Sequence, residues 1–208
     1  MAEIKLTKNE LRTQQNKLNQ LRRYLPTLQL KKALLQAQVN ETRVEIHKLE
    51  LELEKKTEAV EEFAPLLALH ISVNILDFVQ IKGITKRYEN IAGVDVPIFQ
   101  DVAFEPLTYD LFDTPIWLES AILELRGLSY VHAKILVEEE KKAALEKELR
   151  EVSIRVNLFE KILIPRCEDH IKTIKVFLGD QQLAAVSQAK VAKAKIEMQK
   201  RHVVNHAS

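Results

Sequence analysis

The sequence is poor in the residues that turns and crosslinks require, with 4 glycines, 6 prolines and 1 cysteine among 208 residues. So few turn-forming residues exclude a loop-rich β fold. A single cysteine cannot form a disulfide within the chain, which is typical of a protein in a reducing cytoplasm. No uninterrupted apolar run approaches the roughly 20 residues of a membrane span, and the first residues lack the apolar stretch of a signal peptide.

Signatures of catalytic and cofactor sites are also missing. The glycines are too widely separated to build a phosphate-binding loop. Cys167 and His170 could share a metal on one helix face, but two ligands are too few for a site, and a buried structural thiol is the simpler interpretation. His202 and His206 have helical i,i+4 spacing, and we expect them to be solvated. The sequence therefore predicts no catalytic residue, no metal site and no cofactor.

What the sequence does contain is an apolar residue at every third or fourth position through its first third. The mean spacing of about 3.5 residues is typical of a coiled coil rather than of a helix packed on a globular core. From Leu11 to Leu67 such a helix would be roughly 85 Å long. The seam positions are Leu11, Gln14, Leu18, Leu21, Leu25, Leu28, Lys32, Leu35, Val39, Thr42, Ile46, Leu49, Leu53, Lys56, Val60, Phe63 and Leu67.

A second seam follows in the last third of the chain. Around Pro165 it contains three consecutive steps of four residues, from Phe159 to Ile171, which form a stutter that locally relaxes a left-handed supercoil. Two seams on one chain predict an intramolecular antiparallel coiled coil. The positions of the second seam are Leu145, Leu149, Val152, Val156, Phe159, Leu163, Cys167, Ile171, Ile174 and Leu178.

Cap and breaker residues set the expected helix bounds. The first helix should run from about Leu6 to about Leu69, with Thr7 as its N-cap and a kink before Pro26. The second should run from about Ile116 to about Lys200, with bends near its internal glycine and proline.

The period of the apolar pattern changes to two between the helices, over residues 77–104, which predicts a β-hairpin. Asn90 and Gly93 suit the tight turn between its strands, and Pro97 indicates an edge strand. We therefore predict a mainly α protein in three segments: a coiled-coil helix over 1–70, a central hairpin and loop region over 71–115, and a second coiled-coil helix over 116–208.

The small net charge of +1 is unevenly distributed. Residues 1–35 contain eight Lys or Arg and two Glu, and residues 181–208 contain five Lys or Arg and one Glu, so the segment between them is acidic. An antiparallel arrangement would bring the two basic segments together. This pattern fits an ordinary solvated helix surface, a basic end that enters an acidic partner, or nucleic-acid binding.

Three segments occur in this order along the chain: Lys5-Leu6-Thr7-Lys8, Asn90-Ile91-Ala92-Gly93-Val94-Asp95-Val96-Pro97, and Arg155-Val156-Asn157 followed by Ile164-Pro165-Arg166. Together they resemble the D subunit of the V-type and A-type rotary ATPases. The resemblance implies a central rotor axle whose paired terminal helices enter the hexamer of nucleotide-binding A and B subunits. It also implies contacts with the F subunit and with the C subunit (called d in eukaryotes), and a position on the cytoplasmic side of the membrane. The axle itself would not be catalytic.

Eleven residues follow from these patterns as candidates. Partner contacts are expected from the two basic segments, from the arginine that follows Pro165 and from the hairpin. These residues are Lys31, Lys32, Lys190, Lys193, Arg166, Tyr88, Asn90 and Val94. Structural roles are expected for Pro165, Gly93 and Asn157. For Asn157 two interpretations stay open, a polar residue that fixes helix register and an ordinary surface residue.

Two other functional classes remain possible on the same residues. One is a coiled-coil arm that binds nucleic acid through its basic end, although few aromatic residues accompany the basic ones. The other is a scaffold that forms homodimers through its apolar seam. A soluble enzyme is the weakest of the alternatives.

Overall fold

The structure is a computed structural model that describes residues 4–62, 64–67, 75–106 and 114–206. Along the chain, a small two-stranded antiparallel sheet lies between two long helical regions, so the predicted fold class is confirmed. The elements in chain order are α1 (Lys8–Glu61), α2 (Ala64–Leu67), α3 (Ile75–Val79), β1 (Ile81–Ile91), β2 (Val94–Phe104), α4 (Trp117–Leu158), a π turn (Phe159–Leu163) and α5 (Ile164–His206).

Helix α1 begins as its cap residues predict. The hydroxyl of Thr7 accepts a hydrogen bond from the Glu10 N–H at 3.3 Å, which satisfies one of the free amides of the first turn. The predicted end near Leu69 is wrong, because α1 ends at Glu61. Pro65 has no N–H to donate to the carbonyl of Glu61, four residues earlier, so the helix cannot continue regularly through it.

The second long helical region begins within one residue of its predicted start and ends six residues beyond its predicted end. Helix α4 begins at Trp117, and α5 extends to His206. Between them the backbone passes through the π turn at the predicted stutter. Gly127 lies inside α4 without ending it, and a β-carbon at that position would lie 3.1 Å from the Lys56 Nζ atom. The glycine therefore leaves space for this lysine.

The hairpin is shorter than the alternating pattern predicts. Phe78 and Val79, expected in its first strand, lie in α3 instead. Phe78 is buried in a cluster with Leu118 and Ile122 of α4, so tertiary packing outweighs the β-propensity of this short segment.

The chain divides into two compact units, which cut across the three segments read from the sequence. Unit 1 comprises Met1–Gln29 and Ile154–Ser208, and unit 2 comprises Leu30–Ser153. Each unit thus contains one part of α1 and one part of the second helical region.

In unit 1 the two seams meet in an apolar cluster. Leu18 and Leu21 of α1 are buried with Cys167 and Ile171 of α5. Beside this cluster the Arg22 guanidinium lies 2.6 Å from the Glu168 carboxylate. Lower numbers in one helix face higher numbers in the other, as an antiparallel pair requires.

In unit 2 the part of α1 that follows Gln29 packs on α4. Leu49 is buried with Val131 and Ile135. Position 145 of the second seam is fully buried, since Leu145 has 0% exposed surface. The apolar seams predicted from spacing are therefore the contact surfaces of the helices within each unit.

We predict that Leu145→Asp destabilises the protein by about 3–5 kcal/mol, because it places an unpaired charge in a dry seam. The free energy of unfolding, measured by urea titration with circular dichroism, gives the comparison. Lys147→Asp, at an exposed position two residues away, introduces the same side chain and should cost under about 1 kcal/mol. Equal effects of the two substitutions would show that the seam register is wrong.

Candidate partner-binding surfaces

The tip of the hairpin is a two-residue turn. Ile91 pairs with Val94, and the residues between them, Ala92 and Gly93, have φ values of 52° and 82°. Two successive positive φ values define a type I′ turn, the form that matches the right-handed twist of paired strands. The position of Gly93 thus requires a left-handed backbone, which glycine adopts at no steric cost.

Asn90 stabilises this turn through both ends of its amide. Its Oδ1 atom accepts a hydrogen bond from the Gly93 N–H at 3.0 Å. Its Nδ2 atom donates to the Asp95 carboxylate at 2.7 Å. Asn90, predicted as a partner contact, therefore has its amide engaged within the turn, although the residue stays exposed.

The hairpin is held on α4 by an aromatic and cationic cluster. The rings of Phe99 and Tyr130 meet edge to face, with centroids 5.1 Å apart. The Lys134 Nζ atom lies 5.1 Å from the Tyr130 centroid and 5.8 Å from that of Phe99, within reach of a cation–π attraction. Lys86 forms an ion pair with Glu140 farther along α4. The hairpin is thus anchored along its length, not only at its ends.

Arg126 organises the base of the hairpin. Its Nε atom donates to the carbonyl of Phe78 at 2.8 Å, and a terminal nitrogen donates to the carbonyl of Glu105. Its guanidinium also lies 5.1 Å from the centroid of Phe104. One side chain therefore joins the chain entering β1 to the chain leaving β2.

The outward side of the hairpin contains the remaining predicted contacts. Tyr88 is 64% exposed, so its ring is accessible on the surface of the hairpin. Arg87 beside it is exposed as well, and Val94 at the turn is half-buried. These residues leave an amphipathic tip open to a partner.

The side chains of Lys31 and Lys32 are partly buried within unit 2. The Lys31 Nζ atom lies 2.6 Å from the Glu148 carboxylate, with both side chains mostly buried. The same atom lies 3.8 Å from the place where a β-carbon on Gly93 would be. Lys32 is half-buried at a seam position. The structure thus places Lys31 against the hairpin tip, while Lys190 and Lys193 belong to unit 1.

The last part of α5 is exposed around its whole circumference from residue 181 to residue 198. Large apolar side chains share this surface with basic ones: Leu183 is 69% exposed and Met198 is 66% exposed. Lys190 is exposed in this segment, and the Lys193 Nζ atom has a loose contact with Glu197 at 4.0 Å. An isolated helix in water does not normally present so many apolar side chains.

Three candidates lie at or near the π turn, and all three are exposed: Asn157, Pro165 and Arg166. The exposure of Asn157 corresponds to the surface interpretation of this residue. Pro165 lies two residues after the end of the turn, and Arg166 is open to solvent beside it.

The two units have opposite charge. Unit 1 contains 16 Lys or Arg and 7 Asp or Glu, whereas unit 2 contains 15 and 23. The basic surface therefore comprises α5 together with the first part of α1, and the acidic surface comprises α4 and the rest of α1.

The described residues offer no group of three His, Cys, Asp or Glu side chains that could hold a metal ion. Among the described helices, none combines the length and apolar character needed to cross a bilayer.

Known proteins match the sequence of this chain over nearly its whole length. A family model for the D subunit of ATP synthase matches residues 10–194. The chain belongs to the ATP synthase D-subunit family. It is 42% identical over 200 residues to the V-type ATP synthase D subunit of Chlamydia pneumoniae, with 96% of each chain covered. It is 44% identical over 202 residues to that of Chlamydia muridarum, with 96% of this chain and 98% of the relative covered. The family resemblance seen in the sequence is thereby confirmed.

Sequence reasoning missed the residues that fix the hairpin in this member of the D-subunit family. Arg126, Tyr130 and Lys134 recur every four residues along one face of α4, next to the face that packs on α1. That spacing was a usable signal for a second contact surface. The partner of Lys31 could not be found in this way, because Glu148 lies more than 100 residues away.

We predict that Ala92→Asn raises the stability of the hairpin by roughly 1 kcal/mol, because asparagine tolerates a positive φ better than alanine does. Gly93→Ala should lower it by a similar amount, through backbone strain alone, since the nearest atom leaves space for a methyl group. Hydrogen exchange of the β1 and β2 amides provides the measurement. Ala103→Asn, on an exposed strand position, is the control and should not stabilise; a gain there equal to that at Ala92 would exclude the turn as the cause.

Proposed function

We propose that this chain is the central rotor axle of a V-type rotary ATPase. It transmits torque between ATP hydrolysis or synthesis in a hexamer of A and B subunits and ion translocation in the membrane sector. The chain performs no catalysis itself. It lies on the cytoplasmic side of the membrane as a peripheral part of the complex.

The observation that carries this proposal is the exposed segment 181–198 of α5. Its apolar and basic side chains have no cover within the described chain, yet the segment continues a helix whose earlier part is buried in a coiled coil. A segment of this kind fits inside a surrounding partner that supplies both apolar walls and acidic groups. Discrete charged contacts would orient the axle toward each stator protein in turn without binding any one of them permanently.

The proposal assigns the two units to different partners. Unit 1, with its basic surface, would enter the hexamer of A and B subunits through Lys190, Lys193 and Arg166. Unit 2, with its acidic surface and exposed hairpin tip, would contact the F subunit and the C/d subunit that leads to the membrane ring. Its relatives are D subunits of V-type ATP synthases, which supports membership of such a complex.

The basic surface of unit 1 also supports a second candidate, a nucleic-acid-binding arm. In that case, the affinity for RNA or DNA would fall steeply with salt, because bound cations are released from each neutralised phosphate. Weak binding without such a dependence, or none, excludes this candidate.

Direct observation of rotation tests the axle. Gln100 on β2 is exposed, whereas the single cysteine, Cys167, is buried, so a Gln100→Cys variant can be labelled selectively with biotin. With the A and B hexamer fixed to glass and a bead attached at position 100, we expect unidirectional, ATP-driven rotation in steps of about 120°, as threefold symmetry of the hexamer requires.

The matched control carries the bead on an exposed cysteine of one of the B subunits, where no rotation should occur. A bead at position 100 that stays stationary while the complex hydrolyses ATP would refute the axle and favour a static scaffold.

We further predict that reversing two charges, Lys190→Glu with Lys193→Glu, weakens binding to the A and B hexamer by roughly tenfold or more at low salt, and less at high salt, where charges are screened. Stability should not change, since both side chains are exposed. Affinity at two salt concentrations gives the measurement. The matched control is Lys48→Glu with Lys55→Glu, two exposed lysines of unit 2, and an equal loss there would mean that net charge alone governs binding.

A further inference from the structure

The hydrogen-bond pattern of the second long helical region changes at the π turn. The N–H of Ile164 donates to the carbonyl of Phe159, five residues earlier, instead of the usual four. Pro165 follows at once and has no N–H to offer to Glu160 or to Lys161. The turn therefore contains one residue more than an α-helical turn and lies beside a missing main-chain hydrogen bond.

This extra residue corrects the register of the seam. Seam residues from Phe159 to Ile171 are spaced by fours, and each step of four advances about 40° beyond a full turn of an α-helix. Three such steps would rotate Ile171 by about 120° out of the seam. One inserted residue compensates for about 100° of that drift. Consistently, Cys167 and Ile171 are both buried against α1.

A second proline interrupts the facing helix at the same height. Arg22 of α1 is paired with Glu168 of α5. In an antiparallel pair, four residues forward from Arg22 corresponds to four residues back from Glu168, which places Pro26 opposite Ile164. Pro26 cannot donate to the carbonyl of Arg22. Both helices of unit 1 thus lack a main-chain hydrogen bond at one level.

Side chains at this level are less completely buried than those of the neighbouring seam. Pro26 and Pro165 are exposed, and none of the five residues of the π turn is fully buried. Phe159 and Leu163 of the turn are partly buried and pack against the apolar cluster of unit 1. Above this level, by contrast, the seam is closed by Leu18, Leu21, Cys167 and Ile171. Regions with few buried contacts and few backbone hydrogen bonds open at a lower free energy than their surroundings.

We propose that Pro26 and the π turn together form a compliant joint in the coiled coil of unit 1. The joint allows the helix pair to bend and twist there while the extra residue keeps the seam in register on both sides. Its mechanical meaning rests on the proposed function, because a joint matters most in a shaft under torque. The joint itself is a property of the isolated chain.

Hydrogen exchange on the isolated full-length chain tests the joint. We expect amides at 22–29 and 158–166 to exchange at least about tenfold faster than those of the buried seam at 35–46 and 145–152. A triple change, Pro26→Ala with Pro165→Ala and deletion of Glu160, restores both missing donors and removes the extra residue. It should slow exchange in both segments by about tenfold. Uniformly slow exchange in the natural chain would overturn the proposal.

A second deletion serves as a control. It shows whether the π turn corrects the register of the seam or whether α5 tolerates the loss of any one residue. Removing Glu160 together with Pro165→Ala leaves seam spacings of three, four and four, so the melting temperature should hold or rise. Deleting the exposed Lys172 from the regular part of α5 leaves a spacing of two and should lower it. If both deletions lower the melting temperature equally, the π turn is not the corrector that we propose.

The rotation assay gives the mechanical readout. With the hexamer at rest, the angular variance of the bead reports the twist stiffness of the shaft, and the triple variant should reduce this variance about twofold. The matched variant Thr27→Ala with Lys161→Ala, at neighbouring exposed positions, should leave it unchanged. If the bead never rotates, the proposed function fails and hydrogen exchange alone decides on the joint; if it rotates with unchanged variance in the triple variant, the joint fails and the axle stands.

Discussion

Burial of two apolar seams is the interaction on which the structure depends. Neither long helical region packs on a globular core, so each buries its apolar seam against the other. Even the polar seam positions obey this constraint: Thr42, 2% exposed, donates its hydroxyl to the Gln38 carbonyl at 2.9 Å, and Gln14 donates to Glu10 at 2.8 Å. Lys56 reaches past Gly127 toward Glu124. These polar groups thus have a partner or reach the edge of the seam, except the Gln14 Oε1 atom, which is buried without a hydrogen-bond partner.

The same constraint explains what the sequence could predict. A period of about 3.5 residues predicts helices, their apolar faces and the stutter that becomes the π turn, because all three depend on spacing alone. Contacts between distant segments could not be predicted. Phe78 is helical because of Leu118 and Ile122, some 40 residues away, and Lys31 turns inward because Glu148 is there. The same distinction between local spacing and distant contacts applies to the candidate site. The exposure of Lys190 could be inferred from the local pattern, whereas the inward position of Lys31 could not.

The hairpin shows how a structure that is marginal by itself becomes rigid. A two-stranded hairpin in water is barely stable, and this one includes an alanine in a left-handed conformation. Its stability comes from unit 2, through the Phe99 and Tyr130 rings, Lys134, and the two carbonyls bound by Arg126. The tip can therefore present Tyr88 in a fixed position, which a free loop could not do without losing conformational entropy on binding.

A long coiled coil that is stiff along its length resists bending and twisting. In unit 1 both properties, a closed seam and the ability to deform, are combined within a few residues. A proline in only one helix would bend that helix against an unbroken neighbour, and the seam between them would open on one side. Two interruptions at one level, Pro26 and the π turn before Pro165, let both helices deform together, and the inserted residue returns Cys167 and Ile171 to the seam. The apolar contact is thus preserved because the backbone irregularities are matched, so that a local loss of hydrogen bonds does not become a loss of packing.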